Sequence, residues 1–449
     1  MAGIPDSTSS TAGYSAAYYE GRSGLGVKLL VATFFCGMFE GAARKWILPA
    51  SIPELSYLAY LSKFLVFFFI GIASAVSIAP SRALFEFRAY LHLGLFLVFC
   101  GALLSAFSGF SIAGGVLTLV MVVVAPMLAY AAAPTAQLAN KMQVLRWIAI
   151  LSIIPAVLGV IQFGLPATHV LNKYVGNSSW TDVVTDLGRV RATGTFSFIS
   201  GMSAMAVVCV WAGLCIRTLS AKNSDRLLGL ATIVAGFVCG FAALSRSALF
   251  MGLALIGARL LLINRDRQIF VLMLIGAIGY GVLIFDPPKS RDGLGVTLTN
   301  GVLVRHSFSD SGLSRIESWV KQFSAASSEV PLGAGFGLSQ VGGRAVDSGR
   351  RVLVSYEAEL ARLVTEVGIL GVIGVLTVRI GLLLALFHAW GRMLPSPTRD
   401  ALLVSMMTLF LFFVSNTAFN HVAAGFVWPI AAIALAWAGI GERTGVRGR

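Results

Sequence analysis

Long apolar runs recur along the whole chain and are separated by polar stretches of very different length. The runs cover residues 26–47, 53–76, 89–107, 112–133, 144–165, 195–217, 227–244, 247–264, 268–285, 362–388, 400–418 and 421–440. A helix needs roughly 20 apolar residues to cross the hydrocarbon core of a bilayer, so this pattern predicts an all-α polytopic membrane protein with about 12 transmembrane helices.

Two of the connections between these runs are long, and the others are short. The predicted layout is an N-terminal tail 1–25, helices one to nine within 26–285 with a loop at 166–194, a large loop 286–357, helices ten to twelve within 358–440, and a C-terminal tail 441–449. The residues before the first run lack the apolar core and cleavage site of a signal peptide, so we expect that run to remain as a helix.

The composition agrees with a chain that lipid covers. Of the 449 residues, 57% are hydrophobic and only 12% are charged, and the mean hydropathy is +0.83. A soluble domain carries about 25% charged residues. The net charge of +14 resembles that of a nucleic-acid-binding protein, but the basic residues lie between apolar runs and at the chain ends. We therefore expect membrane lipid, and not nucleic acid, as a partner.

Basic residues in short loops orient a multispan protein, because they favour the cytoplasmic side. A cytoplasmic N-terminus puts most of them on that side. They are Arg22, Lys28, Arg82, Arg88, Lys141, Arg146, Arg217, Lys222, Arg226, Arg265, Arg267, Arg392, Arg399, Arg443, Arg447 and Arg449. The sequence thus predicts that both termini are cytoplasmic and that both long loops lie on the outer face.

A second set of basic residues falls on the outer face, where orientation does not explain it. The set is Arg44, Lys45, Arg189, Arg191, Arg246, Arg305, Arg315, Arg344, Arg350 and Arg351. Arginine presents a rigid fork of donors that suits bidentate binding of phosphate. The alternative is pairing with loop carboxylates or lipid headgroups. Arg246 lies in a hairpin with almost no loop, at the membrane boundary, where charge is costly unless paired or functional. For this residue we expect a function.

The large loop ends in a helix entrance that carries several charges. On a helix, Glu359, Arg362 and Glu366 share one face, so they form either an ion-pair ladder or part of a ligand site. Glu357 points away from that face and is free to act on a ligand. Its carboxylate is ionised at neutral pH and suits a general base that takes a proton from a hydroxyl.

Two further features have open interpretations. Glycines alternate in the run 331–338, which either approaches a phosphate or sugar closely or is only a turn. Lys63 and Glu40 lie inside apolar runs, where charge is by default a sign of function. We favour the interpretation that the two neutralise each other or that Lys63 pairs elsewhere in the bundle, and Glu40 can also pair with Arg44 four residues later.

Metal and cofactor chemistry is not indicated. The cysteines, which are Cys36, Cys100, Cys209, Cys215 and Cys239, all lie inside apolar runs without a CxxC pair. They are expected to be small buried hydrophobic residues without a disulfide or zinc site. The histidines show no recognisable partner spacing. We therefore predict no metal site and no cofactor.

The ordered set of motifs resembles the O-antigen ligase and O-antigen polymerase superfamily of bacterial envelope glycosyltransferases. The matching stretches are RATGTF at 191–196, LSRSA at 244–248, SGLSR at 311–315, PLGAGFG at 331–337 and EVGILG at 366–371. Their order and spacing agree over about residues 140–380. One position departs from the ligases, which carry a histidine near the end of the large loop. Glu357 stands there in this chain, so we favour a polymerase or a related exopolysaccharide enzyme.

The resemblance implies a GT-C-like helical bundle in the bacterial inner membrane, with one large periplasmic loop. It also implies metal-independent transfer of glycan from an undecaprenyl-diphosphate-linked donor to a hydroxyl of an acceptor glycan or lipid-linked sugar. Arginines at the positions of Arg191, Arg246 and Arg315 are implied to bind the diphosphate.

The predicted site follows from both lines of argument. Its catalytic residues are Glu357 and Arg246, and its substrate-binding residues are Arg191, Arg315, Arg189, Arg305, Glu359, Arg362, Arg44 and Lys45. The main alternative function is transport, for instance by a lipid-linked oligosaccharide flippase. Transporters usually bind near the midplane between repeats. This chain instead gathers its basic groups on one face and shows no clear repeat.

Overall fold

The computed structural model describes residues 8–48, 53–75, 81–173, 190–263, 308–337, 358–415 and 421–446. Within these ranges the secondary structure is helical, apart from one isolated β-bridge between Phe110 and Phe336. Nine helices of the described part are long and apolar enough to cross a membrane. The prediction of an all-α membrane protein is confirmed at this level.

Thirteen α-helices make up the described part. They are α1 (Thr8–Ala42), α2 (Pro53–Ala75), α3 (Arg82–Ala106), α4 (Ile112–Leu119), α5 (Ala125–Leu138), α6 (Lys141–Gly164), α7 (Ile199–Leu219), α8 (Asn223–Ala242), α9 (Arg246–Leu262), α10 (Phe308–Glu329), α11 (Glu359–Arg392), α12 (Pro397–Val414) and α13 (His421–Val446). A π-helical turn, Ala43–Ile47, extends α1, and another, Val120–Val124, joins α4 to α5.

Most of the predicted apolar runs coincide with these helices. Nine runs match the helices that are long enough to span a bilayer. Two more match α2, which is apolar over Leu61–Ile72, and α9, which has 17 residues. The run 268–285 lies outside the described residues. Helix α10 is an element that the apolar pattern did not predict, because it lies within the large polar loop.

The helices alternate in direction, so the bundle has two ends. At one, which we call the Asp225 end, Arg146 near the start of α6 binds Asp225 near the start of α8 at 2.8 Å. Lys141 there contacts Thr398 at the start of α12 at 3.1 Å. At the other, which we call the Arg246 end, α1, α6 and α8 terminate and α7 and α9 begin.

Helices α3 and α11 lie antiparallel and in close contact. Arg392 contacts Glu86 at 2.8 Å at the Asp225 end. Toward the other end, a Cβ on Gly94 would lie 2.6 Å from the carbonyl oxygen of Gly374, and one on Gly101 would lie 2.5 Å from the nitrogen of Gly371. Small residues at such crossings let helix backbones approach in a membrane, where no hydrophobic force holds helices together.

The distribution of exposed apolar side chains fits a bundle surrounded by lipid. Helices α7 and α13 are buried along nearly their whole length. Helices α3 and α6 instead present large apolar side chains outward, among them Phe96, Phe99, Ile154 and Val157. Water would disfavour so large an apolar surface, whereas lipid chains accept it.

Candidate functional site

Residues 190–198 form a buried irregular segment at the Arg246 end. Gln162, in the last turns of α6, holds its backbone from both sides. The side-chain oxygen of Gln162 accepts from the nitrogens of Thr193 and Gly194 at 3.0 and 2.7 Å, and its amide donates to the carbonyl of Gly194 at 3.2 Å. The segment is therefore a fixed element and not a loose loop between helices.

Gly194 makes the sharp turn of this segment possible. Its φ of +56° lies in the left-handed region, which side chains rarely adopt. A Cβ there would also lie 2.8 Å from the sulfur of Met202. The nitrogen of Ala192 donates to the carbonyl of Ala242 at 2.9 Å, which ties the segment to the end of α8.

Lys45 is buried against this segment. Its ammonium donates to Oγ1 of Thr193 and to the carbonyl of Gly194, each at 2.9 Å, and lies 4.6 Å from the ring centre of Trp46. Only 3% of the residue is exposed, and no carboxylate of the described part lies within ion-pairing distance. A buried charge without a counterion is costly. Neutral groups are thus the partners of this buried side-chain nitrogen.

Glu40 connects Lys63 and Arg44 at the same end of the bundle. The Lys63 ammonium lies 3.1 Å from one carboxylate oxygen, and the Arg44 guanidinium lies 3.8 Å from the other. Arg44 also donates to the hydroxyl of Ser197 at 3.2 Å, which brings it to the buried segment. Both predicted pairings of Glu40 are confirmed, so the intramembrane Lys63 is neutralised as we favoured.

Arg191 contacts the turn between α8 and α9, and Arg246 directly follows that turn. Nε of Arg191 donates to the carbonyl of Ala243 at 3.4 Å. The turn passes through Leu244, whose φ is +49°, and Ser245 caps α9 by accepting from the nitrogen of Ala248 at 3.4 Å. Arg246 begins α9 and is half-buried. The predicted tight hairpin is confirmed.

The structure therefore gathers part of the predicted site. Arg44 and Lys45 contact segment 190–198, which contains Arg191, and Arg246 begins α9 just after the turn that Arg191 contacts at Ala243. Arg189, Arg305 and Glu357 lie outside the described residues. Arg315 falls on α10, but its side chain is likewise outside the described part, so its predicted contact with a diphosphate stays a prediction.

The glycine run packs against protein. The nitrogen of Gly337 donates to the Glu366 carboxylate at 2.5 Å, and the nitrogen of Gly335 donates to Oγ of Ser105 at 3.2 Å. A Cβ on Gly337 would lie 2.7 Å from the carbonyl oxygen of Ser111. Residues 331–337 thus form a turn that fits between α3, α4 and α11, as the second of the two interpretations predicts.

Glu366 is the fully buried anchor of that turn. Besides Gly337, it accepts from the hydroxyl of Thr118 on α4 at 3.0 Å. Its exposure is 0%. A carboxylate in such surroundings is tolerated because hydrogen-bond donors replace water. Glu366 therefore joins the turn, α4 and α11.

Helix α11 is broken at Gly368, where φ is +66° and ψ is 177°. We call residues 359–367 the short arm and residues 369–392 the long arm. The turn supplies partners for backbone groups that the break frees. The nitrogen of Ile369 donates to the carbonyl of Pro331 at 2.9 Å, and the nitrogen of Ala334 donates to the carbonyl of Thr365 at 2.8 Å.

Glu359 pairs with Arg379 of the long arm, and both residues are buried. Glu359 and Glu366 each bind a group outside the short arm, and the ladder of Glu359, Arg362 and Glu366 stays a prediction. Sequence reasoning missed Arg379, Gln162 and Thr118. An arginine in the middle of a long apolar run was the available signal for Arg379.

No group of three or more metal-ligating side chains occurs among the described residues. The five cysteines are free, and Cys209, Cys215 and Cys239 are fully buried, as expected of small hydrophobic residues. The described side chains at the Arg246 end are basic and rich in hydrogen bonds. Comparison of the chain with protein-family models and with curated proteins returned no match.

Proposed function

We propose that this protein is a membrane glycosyltransferase of the polysaccharide polymerase or ligase type. In this proposal it moves glycan from an undecaprenyl-diphosphate donor to a sugar hydroxyl at the periplasmic face of the bacterial inner membrane. The observation that carries the proposal is the set of basic residues at segment 190–198 and the adjacent turn between α8 and α9, which are Arg44, Lys45, Arg191 and Arg246.

Lys45 gives the strongest support for an anionic ligand. Its side-chain nitrogen is held by a hydroxyl, a carbonyl and an aromatic ring rather than by a carboxylate. A chain that needed only stability would place an apolar side chain there. A diphosphate bound at this end would provide the missing negative charge, and its oxygens would suit the arginine forks nearby.

In the proposed reaction the acceptor hydroxyl oxygen attacks the anomeric carbon of the donor sugar. As that bond forms, the bond from the anomeric carbon to the diphosphate oxygen breaks, and its electron pair leaves with the diphosphate. The Glu357 carboxylate takes the hydroxyl proton as general base. Preplaced cations, among them Arg246 and Arg191, stabilise the charge that develops on the leaving group, so the proposal assigns no step to a metal.

The test is complementation of a polymer-deficient strain with variants of the proposed diphosphate-binding residue and of the proposed general base. Arg246→Ala and Glu357→Gln are expected to abolish long polysaccharide while the protein remains in the membrane at normal levels. Arg226→Ala is the matched control, because Arg226 is an exposed arginine near the start of α8 at the Asp225 end. Full-length polysaccharide from both site variants would refute the mechanism.

Binding of undecaprenyl diphosphate tests the site without knowledge of the sugar. Protein in nanodiscs is expected to bind undecaprenyl diphosphate, and Arg246→Ala is expected to weaken that binding by about tenfold or more, the loss of one charge-assisted hydrogen bond. The Arg226→Ala control should bind like the wild type.

A flippase for lipid-linked oligosaccharides is the second candidate, and the buried pair of Glu40 and Lys63 favours it. Intramembrane charges often mark the path of a transported ion or substrate. Purified protein in liposomes separates the two candidates. Movement of fluorescent lipid-linked glycan between leaflets without any transfer product would favour the flippase, whereas transfer without movement would favour the enzyme.

A further inference from the structure

The pairing of Glu359 with Arg379 shows how sharply α11 folds back on itself. The two residues are 20 positions apart. In an unbroken helix they would be separated by about 30 Å, at a rise of about 1.5 Å per residue. Their side chains nevertheless form an ion pair. The short arm must therefore run back along the long arm from Gly368, and it does not extend the helix away from the bundle.

The pair lies deep within the bundle. Arg379 is about 17 Å along the long arm from Gly368 and about 20 Å from Arg392, again at about 1.5 Å per residue. Its guanidinium also lies 5.4 Å from the ring centre of Phe413 on α12. Arg379 is 6% exposed and Glu359 is 3% exposed. Charges at such depth are rare in membrane proteins unless they serve the working site.

Stability alone does not explain this ion pair. Two well-packed apolar side chains of similar volume would hold the arms at equal or lower cost, because charges pay a desolvation penalty on burial. What an ion pair adds is a defined partner and geometry. The ion pair therefore fixes the position of the short arm relative to the long arm.

The short arm is fastened at both of its ends. At Gly368 the turn 331–337 binds the freed backbone groups. At its start, the nitrogen of Ala358 donates to the side-chain oxygen of Gln322 on α10 at 2.9 Å. Arg379 adds a link from the start of the short arm to the long arm. Non-helical backbone at membrane depth is tolerated where it is buried in protein or lines a cavity.

We propose that Arg379 is a positioning residue, which holds Glu359 and the start of the short arm at a fixed place between α10 and the long arm. This inference rests on the proposed function, because the proposed base Glu357 directly precedes this point in the sequence. Arg379 does not touch the substrate in this view. It sets where the large loop rejoins the bundle, and so affects the rate of transfer more than the binding of the donor.

A cross-linking experiment tests the placement of the arm without any assay of activity. In a background that lacks the five native cysteines, Ala358→Cys and Gln322→Cys are expected to react with a short thiol cross-linker, since the two residues share a hydrogen bond. Adding Arg379→Met is expected to lower the cross-linked fraction, and Arg379→Lys, which keeps a positive partner for Glu359, to restore most of it.

Kinetics then test the effect on the reaction, with lipid-linked glycan from the producing strain as donor. Arg379→Met is expected to lower kcat by about 100-fold, the scale of a 1 Å misplacement, and to leave the affinity for undecaprenyl diphosphate unchanged. Arg259→Met is the control, because Arg259 is a buried arginine at the Asp225 end that contacts Thr218 at 3.2 Å. It should change neither quantity in folded protein.

The outcomes separate this inference from the proposed function. A cross-link that persists in Arg379→Met, or a normal kcat when the cross-link is lost, would overturn the positioning role. Parallel loss of donor affinity would also overturn it, because a general structural defect would explain the result. If the wild type transfers no glycan, the proposed function fails and the role in transfer fails with it, even where the cross-link depends on Arg379. If Arg379→Met does not fold, Arg379→Lys becomes the test. A partial loss of kcat at unchanged affinity for undecaprenyl diphosphate would then support the positioning role, and an unchanged kcat would overturn it.

Discussion

The two ends of the bundle are built in different ways. At the Asp225 end, helices α3, α6 and α12 begin at Ser81, Asn140 and Ser396, whose side chains accept from backbone nitrogens in the usual N-cap arrangement. At the Arg246 end, Ser111 and Ser245 cap α4 and α9 in the same way, but the chain there also passes through irregular backbone. Every residue of positive φ in the described part lies there, namely Leu244, Gly194, Gly333, Gly335, Gly337 and Gly368.

Charge is also handled differently at the two ends. At the Asp225 end, Arg146 forms two hydrogen bonds of 2.8 Å with Asp225, and Arg392 contacts Glu86 at 2.8 Å. These pairs are partly exposed, so water shares their solvation. At the Arg246 end, Lys45 is buried on neutral acceptors, and the carboxylate of Glu366 is buried on Thr118 and a backbone nitrogen.

The comparison separates residues that stabilise the ends of the helices from residues that lower the stability of the fold. Strained backbone and buried charge are each unfavourable, and proteins retain them mostly at functional sites. At the Asp225 end, Arg146 and Arg392 have carboxylate partners, although Arg259 is buried on the hydroxyl of Thr218. Positive charge at the Arg246 end needs a further reason, and an anionic ligand is the one that we propose.

The largest effect is expected for Gly368→Ala. A φ of +66° with ψ of 177° is a backbone conformation found almost only in glycine. Any other residue held in it loses about 1–3 kcal/mol of stability. A Cβ there would also lie 2.8 Å from the carbonyl carbon of Leu332, and overpacking adds about 1–3 kcal/mol. Thermal or denaturant unfolding in detergent measures the loss.

Gly391→Ala is the control in the same helix, because a Cβ at Gly391 would meet nothing within 4 Å. It should leave stability unchanged or slightly raised, since alanine favours helix. Equal stability of the two variants would show that the break at Gly368 is not a strained element of the Arg246 end.

The next effect is expected for Glu366→Gln, compared with Glu86→Gln at the other end. Gly337 and Thr118 both donate to Oε2 of Glu366, and glutamine would keep that acceptor but lose its charge, so the unfolding free energy should fall by about 1–3 kcal/mol. Glu86 is half-buried with Arg392, and its replacement should cost no more than about 1 kcal/mol. Similar losses at both positions would remove the energetic difference between the ends.

The sequence predicted the helices well because their signal is local. Apolar runs of the right length coincide with α3, α6, α7 and α8, and the hairpin before Arg246 is also where we expected it. The Glu40 and Lys63 pair was predictable because two opposite charges in neighbouring apolar runs have few other partners.

The contacts of the site were less predictable because they join distant parts of the chain. Nothing in the spacing of Glu366 indicates Thr118, which is 248 residues away, and Gln162 reaches Gly194 across a predicted loop. The local ladder of charges on the short arm was a reasonable expectation for an isolated helix. It did not predict the break at Gly368, which gives Glu359 a partner 20 residues away.

Lys45→Met should separate stability from binding. The change removes a buried charge, and Gly194 keeps its hydrogen bond from Gln162 at 3.2 Å, so unfolding free energy should stay within about 1 kcal/mol of the wild type. Affinity of nanodisc-embedded protein for undecaprenyl diphosphate should fall by about tenfold, the scale of one lost charge-assisted contact.

Lys141→Met is the matched control, since Lys141 is a lysine at the Asp225 end that contacts Thr398. It should leave the affinity unchanged. Unaltered binding by Lys45→Met would mean that the buried ammonium is a structural group, and the contrast between the two ends would then rest on the backbone alone.

The smallest effect is expected for Asp225→Asn. This change weakens the hydrogen bonds to Arg146, whose side chain is 42% exposed and can turn to water. Partly exposed ion pairs contribute about 0–1 kcal/mol, so the unfolding midpoint should move little. Affinity for undecaprenyl diphosphate should not change, because Asp225 lies at the end of the bundle opposite to Lys45 and Arg246. A clear loss of affinity in Asp225→Asn would show that the two ends are coupled through α8. The affinity for the anionic ligand would then depend on residues at both ends of the bundle and not on the Arg246 end alone.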